Sequence, residues 1–265
     1  MNDIFSEIEV SRDTKVLLKK DEDISWEKFM PYMEDEEPSK DIRKSKRHQR
    51  KIFCLNENNG VSYYLKKLSY RHSRRLRDMT RGFFWLRSKA RRQLHSVLCL
   101  KKTGINTIDP VLIIEHRYSW LKQQSLLVTR AQKGITLGKY LESNEKIDQK
   151  MDKIKSGFNN IYKMHKNNIS HGDTNVANMI LDIDSRLIWC DFDRLKKNPL
   201  YLFFKGRYYD LLIFAQSGIL CLIRSGCWNS GIRSEYIRCF ERAYPEYSIV
   251  RKIVLDVIGN RIKEF

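Results

Sequence analysis

The sequence has no apolar run long enough to cross a bilayer. Its longest, Leu211 to Ile223, covers thirteen residues and is interrupted by Gln216, Ser217 and Gly218, where a spanning helix needs about 20. A buried helix is the expectation. The six cysteines form no C-x-x-C pair and match no zinc spacing; reduced core thiols in a cytosolic protein follow, and no structural metal. The acidic amino-terminal stretch carries no signal-type apolar segment. No Gly-x-Gly-x-x-Gly occurs, and neither an internal repeat nor a zinc-knuckle, RNA-recognition or helix-turn-helix pattern is present. Acidic residues are also in short supply, with 32 Asp and Glu against 50 Lys and Arg, a net charge of +18. The partner should therefore be acidic, and in the absence of any recognition motif nucleic acid is not the first expectation.

What is present is enough for a packed protein. A chain of 265 residues, 42% hydrophobic and 31% charged, buries a full core and suits one two-lobed domain or two small ones. Charge is unevenly placed. Residues 1–37 hold twelve acidic and five basic side chains, and Glu34 to Glu37 stand just before the basic run Asp41 to Lys51, across Pro38-Ser39-Lys40. That change of sign marks a linker or mobile loop. A second basic concentration, Arg71 to Arg92, surrounds Phe83-Phe84-Trp85-Leu86. Cations beside an aromatic cluster suit an anionic bilayer surface, while aromatics that pack a helix onto the smaller lobe, with the arginines left in water, explain them equally well.

The segment His171-Gly172-Asp173-Thr174-Asn175-Val176-Ala177-Asn178 is followed by Trp189-Cys190-Asp191-Phe192-Asp193. Between them Met179 to Leu181 reads as a strand, Asp182 to Ser185 as a turn, and Arg186 to Cys190 as the returning strand. A hairpin of that kind brings Asp191 back beside Asn178. One carboxylate placed for a hydroxyl proton, with an amide and a second carboxylate placed for a cation, is the set that phosphoryl transfer requires. Asp173 then accepts or orients the proton of the attacking hydroxyl, while Asn178 and Asp191 coordinate Mg2+ on the phosphates of ATP. An ordinary polar loop, with Asp191 capping the next element, is the competing reading. His171 is expected to pack and hydrogen bond beneath the loop rather than to act as a general base, because such a site needs no imidazole for proton transfer.

His171-Gly172-Asp173-x-Asn175-x-x-Asn178, with Asp191-Phe192-Asp193-Arg194 in place of Asp-Phe-Gly, resembles the lipopolysaccharide-core kinases, the Kdo kinase and heptose kinase family. The resemblance extends from about Ile52 to Ala215. It implies an α+β, two-lobed protein-kinase-like fold, with a small antiparallel-sheet lobe over 51–130, a charged segment 1–50 contributing to it, and a mainly helical lobe over 131–265. It also implies ATP-dependent phosphorylation of Kdo or heptose in the lipopolysaccharide inner core. The partners would be that anionic glycolipid and an anionic membrane surface, with the protein peripheral on the cytoplasmic face of the inner membrane.

Several further residues acquire roles through the resemblance. Tyr63-Tyr64-Leu65-Lys66 is similar to the family's Tyr-Tyr-x-Lys strand, so Lys66 would neutralise nucleotide phosphates. Ile52 to Leu55 and Val61 to Lys66 read as a hairpin around Asn59-Gly60. Lys67 faces the opposite side of a regular strand, and a bulge would exchange the two. Leu126 to Ala131 reads as a strand running into a hinge that sets the backbone of Thr129, Arg130 and Ala131 against adenine. Asp210, just inside a later helix, matches the residue that braces the catalytic loop. The helix over about Ser88 to Lys102 departs from the pattern, since it contains no acid, and Arg92 or Gln93 occupies the acidic position. Weak catalysis by a kinase-like protein that binds an acidic partner at the membrane is the alternative that this departure keeps open.

Overall fold

The computed structural model describes residues 4–33, 50–56, 61–69, 88–119, 122–245 and 255–256. The chain divides into two compact units, residues 1–98 with 108–131, and residues 99–107 with 132–265. The Asn59-Gly60 turn, most of the Asp41 to Lys51 run and the Phe83 to Leu86 cluster lie outside the described residues.

The first unit is built on one antiparallel sheet. Its strands are β1 (Phe5–Glu9), β2 (Thr14–Lys19), β3 (Arg50–Asn56), β4 (Ser62–Ser69), β5 (Asp109–Ser119) and β6 (Lys122–Arg130), ordered β1-β2-β5-β6-β4-β3. The central pair β5 and β6 is covered on both sides, which is why Val111 to Ile114 and Leu126 to Val128 are apolar without alternation. On one face Ile24, Phe29 and Met33, around a 3-10 turn at Glu27–Tyr32, pack on Val16, Tyr63, Leu65, Leu112, Ile114, Leu126 and Val128. On the other, α1 (Lys89–Lys101) lays Ala90 and Leu94 against Phe5, Leu17, Leu68, Ile113 and Leu127. Complete burial of each such side chain is worth about 1.5–3 kcal/mol.

Helix α1 begins where Ser88 Oγ accepts from the Arg91 amide at 3.0 Å, an orphan donor that every helix start must satisfy. Its buried residues Ala90, Gln93, Leu94, Val97 and Leu100 recur at helical spacing. Beside that stripe Arg91 reaches the sheet: Nη2 lies 2.6 Å and Nε 3.1 Å from Glu115 Oε2, and Nη1 lies 3.1 Å from Glu7 Oε2. The helix supplies the cation of this ion pair and the sheet supplies the acids.

Pairing of β4 with β3 and with β6 runs without a register shift, so Lys66 and Lys67 face opposite sides as a regular strand requires. Lys67 points to the face of the 3-10 turn, where it is buried and its Nζ donates to the Met33 carbonyl at 2.7 Å. Lys66 shares the α1 face with Leu68. Replacing Lys67 with alanine leaves that carbonyl, among the described residues, with a 3.5 Å contact from the Tyr118 hydroxyl and is expected to cost about 1–3 kcal/mol. Urea denaturation measures it; an unchanged midpoint would show that the bond contributes nothing.

The second unit packs helices α2 (Leu137–Glu142), α3 (Ile147–Lys166), α4 (Arg207–Arg224) and α5 (Ser230–Ala243) with short strands. Thr136 Oγ1 and Asn229 Oδ1 cap α2 and α5 by accepting from the amides of Lys139 and Ile232. Phe158 of α3 centres the core, with ring centroids of Phe214, Tyr236 and Phe240 at 4.8, 5.6 and 5.3 Å. A Cβ on its neighbour Gly157 would lie 2.2 Å from the Phe214 ring, so only glycine admits α4 this close to α3. Strands β7 (Gly134–Thr136), β9 (Met179–Asp182) and β10 (Leu187–Trp189) form one sheet, and β8 (Ile169–Ser170) pairs with β11 (Lys196–Lys197). No helix among the described residues is long and apolar enough to cross a membrane.

Candidate functional site

Helix α3 hands the chain to β8 through Asn167 and Asn168, the latter at φ 57°. After β8 comes the polar loop His171 to Asn175. Gly172 sits at φ 76°, and a Cβ there would come within 2.8 Å of the Arg194 carbonyl oxygen. The glycine therefore serves two needs at once, a left-handed turn and close approach of the segment that follows Asp191. Asn175 caps the short 3-10 turn Val176–Asn178 by accepting from the Ala177 amide at 2.9 Å.

The hairpin places the three residues singled out by the sequence in one region. Asp182 closes its turn, with Oδ1 accepting from the amides of Asp184 and Arg186 at 3.0 and 2.8 Å. Register then runs from Leu181 opposite Leu187 to Met179 opposite Trp189. One residue beyond, the Cys190 amide donates to the Asn178 carbonyl at 3.0 Å, and Asp191 follows at φ 58°. Asn178 Nδ2 donates to the Asp173 carbonyl at 3.0 Å. With Nδ2 so committed, Oδ1 is the atom of the Asn178 side chain that remains suited to a cation. Asp173, Asn178 and Asp191 are all half-buried.

Beneath this loop lies a fully buried layer. The His171 ring lies 5.0 Å from that of Trp189 and 5.4 Å from that of Phe192, between centroids. Burial pushes the His171 pKa down, and the charges of Asp210, Asp173 and Asp191 pull it back only in part. All three carboxylates therefore act on one ring.

Asp210, in the first turn of α4, is wholly buried. Its Oδ2 accepts from the His171 amide at 2.9 Å and its Oδ1 from the Gly172 amide at 2.7 Å, while its carbonyl accepts from the Thr174 hydroxyl. Oδ2 also lies 3.1 Å from His165 Nε2, and His165 Nδ1 lies 2.5 Å from the Tyr244 hydroxyl. A carboxylate only accepts, so Nε2 carries the proton and Nδ1 accepts from Tyr244. His165 was not anticipated from the sequence, where a histidine in the last turn of a helix carries no signal of its partner.

Burial lowers the His165 pKa too, against the pull of Asp210. Both histidines bind a proton less readily folded than unfolded. Below the ordinary value of 6.5 the unfolded chain takes up protons that the folded chain does not, so stability falls as pH falls. Each group contributes about 1.4 kcal/mol per pH unit below 6.5 until its folded pKa is reached. Melting followed across about two pH units centred on the ordinary imidazole value of 6.5 checks this, and a flat profile would contradict it.

The other sequence candidates lie in the first unit. Lys66 is half-buried on β4. Thr129 and Arg130 end β6, where Arg130 Nη2 meets Glu22 at 2.6 and 2.7 Å. The Ala131 amide donates to the Ser62 carbonyl at 2.8 Å, so that N–H is already engaged. Among the described residues no three His, Cys, Asp or Glu side chains gather into a metal cluster; two acids and an amide are what the second unit offers.

No curated protein sequence matches the chain. Among solved structures it is similar to "WaaP in complex with acyl carrier protein", at 15% identity and a TM-score of 0.58, over 85% of this chain and 88% of that one. At that identity the likeness shows a shared kinase-like α+β fold. The model of the lipopolysaccharide kinase (Kdo/WaaP) family matches residues 36–199, which span both the β4 lysines and the Asp173 to Asp193 hairpin. The chain belongs to the lipopolysaccharide kinase (Kdo/WaaP) family.

Proposed function

We propose that the protein transfers the γ-phosphate of ATP to a hydroxyl of Kdo or heptose in the lipopolysaccharide inner core, at the cytoplasmic face of the inner membrane. The observation that carries this reading is the double tether of Asn178, to the Asp173 carbonyl through its side chain and to the Cys190 amide through its backbone. It ties the Asp173 loop and the strand end before Asp191 to Asn178, which supports the reading that the three side chains serve one reaction. Asp173 takes the proton as the sugar oxygen attacks phosphorus and the bond to the departing ADP oxygen breaks. Asn178 and Asp191 are hard oxygen donors of the type Mg2+ prefers, and that ion supplies charge neutralisation on the phosphates when bound.

Lys66 is the residue for the phosphates, because Lys67 is committed to Met33. Adenine would meet the backbone of Thr129, Arg130 and Ala131, where the Ala131 amide is already engaged by Ser62. Labelled ATP, Mg2+ and lipopolysaccharide lacking core phosphate provide the test. Label should appear in the glycolipid, and mass spectrometry of the product identifies sugar and position. Absence of transfer to both Kdo and heptose acceptors would defeat the proposal.

A second reading, a kinase-like protein of weak catalysis that binds an acidic partner, is favoured by one observation. Helix α1 contains no acid and instead offers Arg91 to Glu115, whereas kinases orient the phosphate lysine with a helix carboxylate. Binding of the glycolipid without transfer would support it.

A further inference from the structure

We propose that the segment from Arg194 to Tyr209 is the surface by which this protein lies on an anionic bilayer. The proposal rests on the functional reading above for the identity of the occupant. Between Asp193 and Asp210 the chain has five cations, Arg194, Lys196, Lys197, Lys205 and Arg207, and not one acid. Lys196 to Leu200 form an unbroken exposed run, beginning in β11. At its end stands Leu200, 69% exposed, followed by Tyr209 at 47%.

Local structure explains why Lys196, Lys197, Leu200, Lys205 and Tyr209 stand in solvent, while Arg207 is half-buried with its Nε shielded. Asn198 Oδ1 caps the turn Pro199–Tyr201 by accepting from the Tyr201 amide at 3.0 Å. The chain continues through a π-helical stretch, Leu202–Gly206, into α4. Gly206 has no room for a Cβ, which would lie 2.9 Å from the Ser170 side chain, so the inner side of this stretch is pressed against β8. Lys205 and Tyr209 are exposed, and Tyr201 is half-buried. Lys196 Nζ sits 3.6 Å from the centre of the Tyr201 ring, and the rings of Tyr208 and Tyr209 are in contact at 5.8 Å.

Cations at headgroup depth, tyrosines at the interface and one leucine at the tip form the combination that holds a protein at the surface of an anionic membrane. A purely electrostatic partner, such as an acidic soluble protein, explains the lysines but leaves exposed Leu200 without a role. The surface is continuous with β11, which pairs with the strand leading into Asp173. Docking here would present a membrane-borne acceptor on the side of the chain that carries the catalytic loop.

Co-sedimentation with vesicles decides the matter. The full chain should bind vesicles of mixed phosphatidylglycerol and phosphatidylethanolamine and not vesicles of phosphatidylcholine alone. The double variant K196E/K197E and, separately, Leu200→Asp should each lower the partition coefficient by about tenfold or more. Both changes lie at exposed positions, and unchanged circular dichroism shows that each variant folds. Equal binding by wild type and variants would overturn the assignment, as would binding only to a soluble acidic protein. Vesicle binding needs no catalysis, so transfer to a delipidated core oligosaccharide without vesicle binding overturns this surface alone. Vesicle binding without transfer to any acceptor defeats the kinase reading and leaves the surface standing.

Discussion

Asp173→Ala is expected to lower phosphate transfer by roughly 10³-fold, within the range that a positioned general base contributes, while leaving the unfolding midpoint close to wild type. The structure separates the two effects because Asp173 serves the fold through its backbone. Its carbonyl holds Asn178 Nδ2 at 3.0 Å, a bond that alanine retains. Its carboxylate is half-buried, and among the described residues no hydrogen-bond donor is held by it. Asp191→Ala should cost activity on a similar scale, and the double variant should cost little more than either alone, since groups that act on one reaction coordinate are not additive. Full activity of Asp173→Ala, measured as label transferred from ATP, would remove the residue from the chemistry and leave the hairpin as a structural motif. A loss of activity matched by a loss of stability would point instead to a damaged loop.

Much of the second unit was legible because its signals are local. The helix Ile147–Lys166 follows from its own apolar spacing, and the strand, turn and strand that return Asp191 to Asn178 follow from residues within twelve positions of one another. The first unit was less open to reading. Its acidic beginning, expected as a charged segment contributing to this lobe, supplies β1 and β2 of the six-stranded sheet, two strands that the charge run did not mark. Edge strands carry charge on their outer face, so Phe5-Ser6-Glu7-Ile8-Glu9 shows only a short alternation. The Arg91 and Glu115 pair lies 24 positions apart and the Lys67 to Met33 bond 34. Neither is specified by a motif, since a long-range polar contact depends on which sheet face a residue occupies, and that is settled by register. The absence of acid in α1 was visible in the sequence. That the sheet answers its arginine with Glu115 was not.

Asp210→Ala should act in the opposite way to Asp173→Ala, removing stability and activity together. The carboxylate is 0% exposed and accepts from the His171 and Gly172 amides and from His165 Nε2. Alanine leaves the His165 and His171 donors buried, and the Gly172 amide part-buried, without that acceptor. Each such group costs about 1–3 kcal/mol, and removal of one partner from a buried charged network typically costs about 3–5 kcal/mol in all. Against a total of roughly 5–15 kcal/mol for a domain, that is a large fraction, readable as a displaced urea midpoint. Asparagine at 210 is the sharper probe, because it keeps the shape and one acceptor but turns an amide donor toward an N–H. Its cost should be intermediate. The His171 and Gly172 amides hold the turn from which Asp173 projects, so transfer should fall even at temperatures where the variant remains folded. A folded Asp210→Asn with full transfer and an unshifted midpoint would mean that the loop keeps its shape without this brace, and that Gly172 and the β8 to β11 pairing alone set the position of Asp173.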